Sequence, residues 1–256
     1  GYQNQLPEGS NCSFIGGGTC NIVCCNNSFI GGGCKNLVTG IKSSIVGGTL
    51  NTSSYSWSFI GGGQFNVVQD NYSSIVGGLK NVVELTGKGN QFIGGGACNT
   101  ASGNYSFIGG GCCNKTTEVL SVIVGGTRNT ASGACSFIGG GESNYIKDFR
   151  SSIVGGYDNF IELSGKGGQF IGGGEGNISA NFWSSVVGGQ GNCVWSATSI
   201  IGGGESNSIG VSGASTSPPN AFIGGGGGNC IGKGGDFSGI LGGQANCIDG
   251  HDHSFI

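Results

Sequence analysis

The chain has 256 residues, of which 60 are glycine and three proline, with 9% charged residues and a formal net charge of −3. Collagen is excluded, since it needs glycine at every third position and abundant proline. Gly-rich disorder is excluded by β-branched and aromatic residues that recur along the whole chain. Ten basic against thirteen acidic residues make no basic stripe, which argues against a nucleic-acid partner.

The opening Gly1-Tyr2-Gln3-Asn4 reads as the tail of a unit whose complete form follows at once: Ser-Phe-Ile-Gly-Gly-Gly-x-x-Asn, or Ser-Ser-Ile-Val-Gly-Gly-x-x-Asn. Fifteen complete copies end at Asn21, Asn36, Asn51, Asn66, Asn81, Asn99, Asn114, Asn129, Asn144, Asn159, Asn177, Asn192, Asn207, Asn229 and Asn246. Ser254-Phe255-Ile256 is the head of another, so residues 1–256 read as one solenoid region cut from a longer array. A short repeat at constant register means one small unit stacked many times. The expected fold is all-β: a parallel β-solenoid, a flattened β-roll of about 15 residues per repeat. No stretch has the apolar length needed to insert in a membrane, and the start carries no signal-peptide pattern.

Positions within a repeat are counted from its Asn. Position −6 is Ile or Val in every copy, from Ile15 to Ile240, as a strand residue facing a packed surface requires. Positions −7 and −5 point to the other face, and they vary together. Phe or Ile at −7 (Phe14, Phe29, Phe59, Phe92, Phe107, Phe137, Phe170, Ile200, Phe222) is followed by Gly at −5. Ser, Val or Gly at −7 (Ser44, Ser74, Val122, Ser152, Ser185, Gly239) is followed by Val or Leu. Large faces small, which is volume compensation in a packed layer, with a ring covering a bare glycine. Both strand faces are therefore apolar. Two readings of the second face stand: contact with another copy of the chain, or a broad coil made of two repeats.

The glycine at −3 is expected to take φ > 0 and turn the chain. Two variable residues follow it as an exposed turn, and the Asn then enters a second strand with a small or apolar residue at +2, such as Val23, Val38, Ala101 and Ile146. Stacked Asn side chains are expected to bond to one another and to turn backbone, forming an amide ladder. A second turn closes the coil.

That second turn takes every insertion. Loops at 84–90 and 162–168, Glu84-Leu85-Thr86-Gly87-Lys88-Gly89 and Glu162-Leu163-Ser164-Gly165-Lys166-Gly167, recur five repeats apart. A longer loop spans 211–220, and a degenerate one spans 232–235. Such insertions read as a binding edge, with Lys88, Lys166, Lys233, Pro218 and Pro219 as candidates, or as duplication drift. Gly-Lys-Gly lacks the spacing and following helix of a phosphate loop.

Twelve cysteines include two adjacent pairs, Cys24-Cys25 and Cys112-Cys113, and none at metal-type spacing. Cys98 and Cys113 share a repeat position in neighbouring copies, as do Cys230 and Cys247, so stacking brings each pair within reach of a bridge. His251 and His253 are the only metal candidates, in a turn expected to face solvent. The calcium nonapeptide pattern is absent. Acidic residues are scattered and both histidines lie at one end, which leaves no constellation for catalysis. The expectation is no enzyme, no cofactor and no metal.

The unit Ser106 to Asn114, and the stretch Asn129-Thr130-Ala131-Ser132-Gly133, resemble the head repeats of trimeric autotransporter adhesins. They look still more like the Gly-Gly-x-x-Asn-Thr-Ala-Ser-Gly arrays of phage and giant-virus fibre proteins. The resemblance implies a left-handed parallel β-roll, three chains on one axis and an extracellular or virion-surface location. The period of fifteen, the triple glycines and the cysteines depart from the adhesin pattern. The function expected is a structural and adhesive fibre segment that pairs with itself and presents loops to a host-surface glycan or protein. A self-assembling extracellular filament and an ice-binding solenoid are the alternatives.

Overall fold

Each repeat lays down the same short segments, and the register of their pairing sets the architecture. The computed structural model describes residues 1–212 and 219–256, in two units, Gly1–Arg128 and Asn129–Ile256. Among the described residues there is no helix, and every strand is two residues long.

In the first unit the strands Phe14–Ile15, Phe29–Ile30, Ser44–Ile45 and their successors to Val122–Ile123 pair in parallel with their own equivalents: Phe14 opposite Phe29, Phe29 opposite Ser44, Ser44 opposite Phe59. A second parallel ladder runs from Ile22–Val23 to Lys115–Thr116, with Ile22 opposite Leu37 and Val23 opposite Val38. A third column consists of single-residue bridges at −2, through Thr19, Cys34, Thr49, Gln64, Leu79, Ala97 and Cys112. The second unit repeats the plan, with ladders from Phe137–Ile138 to Gly239–Ile240 and from Thr130–Ala131 to Cys247–Ile248. Each unit is thus a parallel β-solenoid of one repeat per turn. The register rules out the broad coil of two repeats. It also adds to the expected two-strand coil, because one of the two variable turn residues pairs as well.

The inward face is two apolar columns. Ile30, Ile45, Ile60, Ile75, Ile93 and Ile108 at −6, and Val23, Val38, Val68, Val83 and Ala101 at +2, are fully buried in the first unit. The +2 column accepts three polar residues, and each finds a partner inside. The Ser53 and Ser58 hydroxyls lie 2.5 Å apart, Thr116 Oγ1 donates to Ser106 Oγ at 3.0 Å, and the Ser179 and Ser184 hydroxyls lie 2.6 Å apart.

The −3 glycine has φ of +86° at Gly18, +92° at Gly33 and +91° at Gly48, as its place in the turn requires. Two further corners use the left-handed region without glycine. Position −1 (Cys20, Lys35, Leu50, Phe65) and position −9 (Lys42, Trp57, Tyr72) all have φ between 54° and 61°. Such residues cost about 1–2 kcal/mol each relative to right-handed backbone. The stack offsets this, because the freed N–H donates to the coil before: Leu50 to the Cys34 carbonyl at 2.9 Å, Trp57 to the Ile41 carbonyl at 3.0 Å.

Removing one inward side chain leaves a void that rigid neighbouring coils cannot fill. Ile75→Ala is expected to cost about 3 kcal/mol, read as a shifted midpoint in urea unfolding followed by far-UV circular dichroism.

Candidate functional site

The Asn column is the most repeated polar feature, and its polar atoms are committed to the fold. Asn51 is typical: Nδ2 donates to the Gly47 carbonyl at 3.1 Å and to the Gly63 carbonyl at 3.0 Å, and Oδ1 accepts the Asn66 N–H at 3.0 Å. Asn21 to Asn229 are all buried, and only Asn246, in the last complete repeat, is half-exposed. One amide thus ties the backbone of its own turn to that of the next at two points and has no valence left for a ligand. A second polar column, at −8, does the same at another corner. The Ser28 N–H donates to Ser13 Oγ at 3.1 Å, Ser43 to Ser28 Oγ at 3.2 Å and Ser58 to Ser43 Oγ at 3.2 Å. A Ser precedes the first strand of most repeats in the sequence, but its residue type alone does not mark the ladder.

The 84–90 and 162–168 loops are each wound round a buried carboxylate from the preceding coil. Asp70 Oδ2 accepts the Thr86 N–H at 2.8 Å, the Thr86 hydroxyl at 2.5 Å, the Gly87 N–H at 3.1 Å, the Gly89 N–H at 3.2 Å and Gln91 Nε2 at 3.2 Å. Its Oδ1 accepts the Asn71 N–H at 2.8 Å. Asp148 repeats the design with the Ser164 N–H at 2.9 Å, the Ser164 hydroxyl, the Gly167 N–H at 3.2 Å and Gln169 Nε2 at 3.0 Å. Gln91 and Gln169 occupy the −8 position that Ser holds in every other repeat but the one with Ala221, and each spans from the Ser column to the Asp. The only mark of the clamp in the sequence is an Asp 21 residues before a Gln at both insertions. The glycine N–H groups that a phosphate would need are already donated to aspartate. Burial pushes both carboxyls upward. Their hydrogen bonds outweigh it, led by the Thr86 side chain at Asp70 and the Ser164 side chain at Asp148, and both sit below the usual carboxylate value.

The clamp sets the loop lysines outside. Lys88, Lys166 and Lys233 are exposed, and Lys166 Nζ lies 4.1 Å from the centre of the Phe182 ring. Lys233 holds its turn through its carbonyl, which accepts the Gly250 N–H at 2.7 Å. Pro219 is half-buried and its carbonyl accepts the Phe237 N–H at 3.2 Å. Pro218 lies outside the described residues.

All twelve cysteines are free thiols. The Cys112 and Cys113 sulfurs lie 3.1 Å apart. Cys113 is pushed up to about 11 by its hydrogen bond with Cys112, then by burial and by the charges of Cys112 and Cys98. Cys230 and Cys247 are direct ladder partners, and burial, with Cys230 next to it, raises Cys247. Both column pairs are thus adjacent and unbridged. His253 stacks on Phe237 at 5.3 Å, and His251 offers its carbonyl to the Ser238 hydroxyl at 3.2 Å. Among the described residues, no group of three or more His, Cys, Asp or Glu is placed to hold a metal ion. A shallow depression lined by Glu205, Ser206, Gly227, Gly228, Gln244 and Ala245 marks where two glycines leave the −2 and −1 columns bare.

No protein-family model matches this chain, and no curated protein matches it.

The Asp clamp has a defined pH signature. A carboxylate whose pKa is lowered by folding contributes stability above its unfolded value, about 3.9, and loses that contribution as pH falls through the folded value. Asp70→Asn is expected to cost about 1.5–3 kcal/mol at pH 7, the scale for hydrogen bonds to a charged group. The gap to the parent chain narrows below about pH 4. Urea unfolding at pH 7 and pH 3 checks both.

Proposed function

We propose that the chain is a structural and adhesive fibre segment, built from several copies packed through their −7/−5 faces, a homotrimer in the first instance, and displayed outside a cell or on a virion. The observation that supports this most is the outward strand face. Phe14, Phe29, Phe59 and Phe107 at −7, and Val46, Val76 and Val124 at −5, form one column on the first unit and are exposed in the single chain, Val46 by 50%. Phe137, Val154, Val187 and Phe222 continue the pattern in the second unit. Where aromatic turns adjoin, the rings stack, at 5.9 Å for Phe14 and Phe29 and 5.3 Å for Phe92 and Phe107. The ring covers the −5 glycine: a Cβ on Gly31 would lie 3.3 Å from the Phe29 ring and 2.3 Å from the Val46 carbonyl oxygen. An apolar column recurring at every turn is a larger patch than soluble monomers leave in water. Its natural complement has the same spacing, which another copy of this chain supplies.

The glycine at −4 supports the same reading. At −3 a side chain is excluded from within, since a Cβ on Gly48 would sit 2.2 Å from the Gly63 carbonyl oxygen. At −4 no close contact inside the chain excludes one, and Gly173 alone, at φ +156°, takes a conformation that a side chain rarely adopts. Gly17, Gly32, Gly47, Gly62 and Gly77 have no atom within 4 Å of such a Cβ and none has positive φ. Glycine in every copy of the repeat at an open outer position fits the close approach of a neighbouring surface. With polar atoms of the columns committed to backbone, the reading is structural rather than catalytic.

Light scattering on the purified chain is expected to give an assembly of fixed stoichiometry that resists SDS, and a monodisperse monomer would overturn the proposal. Val76→Glu shifts it toward monomer. Gly47→Ala with Gly62→Ala weakens assembly at under about 1 kcal/mol per site to the coil itself, whereas Gly48→Ala damages the coil by about 1–3 kcal/mol through its φ alone. Sedimentation and urea unfolding separate the two effects.

A further inference from the structure

The two clamped loops are copies of one device, 78 residues apart from Lys88 to Lys166, so each is a control for the other. Their inner parts agree: Asp70 and Asp148, Thr86 and Ser164, and Gln91 and Gln169 make the same bonds. So do the supporting backbone contacts. The Tyr105 N–H donates to the Gly89 carbonyl at 3.2 Å, and the Trp183 N–H to the Gly167 carbonyl at 3.2 Å. The flanks differ, and in one direction. Asn71 becomes Phe149, Asn104 becomes Phe182, Tyr72 becomes Arg150, Gln69 becomes Lys147, Tyr105 becomes Trp183 and Asn90 becomes Gly168. The second edge has lost four amides and the Tyr72 ring, and gained two rings, a larger ring and two cations. Drift around a structural loop has no reason to change these positions together.

The geometry turns those exchanges into one surface. A Cβ on Gly167 would lie 3.1 Å from the Phe149 ring, so that ring lies close over bare backbone. A Cβ on Gly168 would lie 3.5, 3.6 and 3.7 Å from Cδ2, Cε2 and Cγ of Trp183, so the indole rests face-on above that glycine, while 67% of the residue's surface stays exposed. Lys166 Nζ sits 4.1 Å from the Phe182 ring, and the Arg150 guanidinium 5.6 Å from the Phe149 ring. Cations over rings are held in place yet keep their outer donors free. The carboxylate beneath them, Asp148, is buried and spent on the loop. Glu162, half-buried, is the acid on the loop itself.

We propose that the edge formed by Phe149, Arg150, Lys166, Phe182 and Trp183 is a binding site for acidic saccharides, and that the 84–90 loop is its non-binding counterpart. This rests on the adhesive reading above and names its ligand class. The exposed indole offers an apolar plane to the C–H face of a pyranose ring. Arg150 and Lys166 offer charge-assisted donors to a carboxylate or sulfate on that ring. The ligand is acidic because the two cations at this edge, Arg150 and Lys166, outnumber its one surface acid, Glu162, while Lys147 lies over the Tyr145 and Phe160 rings.

The test uses the whole chain in isothermal titration and tryptophan fluorescence. The probes are an oligouronate, a sialylated and a sulfated oligosaccharide, each beside a neutral oligosaccharide of equal length. The three acidic arms separate carboxylate from sulfate sources. At least one acidic probe is expected to bind about tenfold or more tighter than its neutral partner and to weaken with salt. Trp183→Ala and Lys166→Ala each weaken binding about tenfold or more, while Tyr105→Ala and Lys88→Ala stay within about twofold. Trp183→Tyr and Lys166→Arg retain most of the affinity, which guards against loss through misfolding. No acidic binding, equal binding of neutral probes, or equal losses at the 84–90 loop would overturn the proposal. An SDS-resistant assembly that binds no acidic probe defeats this site alone. A monomer that binds one defeats the fibre reading alone.

Discussion

Everything in this protein follows from stacking in register, one repeat per turn. When residue i lies on residue i+15, a side chain's neighbours above and below are its own equivalents. A feature that costs energy once would then cost it at every turn, so each must be solved inside the repeat. The Asn amide is that solution at one corner, joining its own turn to the one after it. The Ser hydroxyl is the solution at another. Left-handed corners filled by Leu50, Phe65 and Trp57 are tolerable because the same stacking gives each strained peptide a carbonyl to meet.

Insertion is the hard case for such a fold, since extra residues in one turn would leave backbone groups unmatched above and below. The Asp70 and Asp148 clamps answer it. One carboxylate gathers the N–H groups that the longer loop cannot lend to a neighbouring turn, and a Gln replaces the Ser whose ladder the loop interrupts. The rest of the column continues undisturbed, with the Asn99 N–H still meeting Asn81 Oδ1 at 3.0 Å across eighteen residues of chain. The loop is therefore rigid at its base and free to vary outside, which lets one copy carry Phe149, Phe182 and Trp183 where the other has Asn71, Asn104 and Tyr105.

Much of the fold was legible because periodicity reports packing directly. The −6 Ile column, the +2 column and the φ > 0 glycine at −3 all repeat with the chain's own period, and the structure places them where that period implies. The features that stayed hidden share a physical reason. Positions −1 and −9 vary freely in residue type, so nothing in the sequence marks their positive φ: the constraint acts on the peptide, not on the side chain. The −2 bridges are likewise a backbone matter, indifferent to whether Thr49, Gln64 or Leu79 supplies them. The Asp clamps were hidden for the opposite reason. They occur twice, too seldom to register as a repeat, although the paired Asp and Gln stand at the same spacing in both copies.

The outer positions divide by what accounts for them. Variation at −2 and −1 needs no account, because those side chains meet solvent. The −5 glycine under a Phe ring is accounted for within the chain, by the ring and the carbonyl of the next turn. The −4 glycine is not, for it stands beside open space at turn after turn. In a repeat array each turn is an independent trial of what a position tolerates, so this uniformity is what the proposed packing of copies is called on to explain. That glycine flanks the exposed Phe and Val residues in sequence, and in the proposed assembly a single neighbouring surface with the same spacing accounts for both the absent side chain and the uncovered apolar ones.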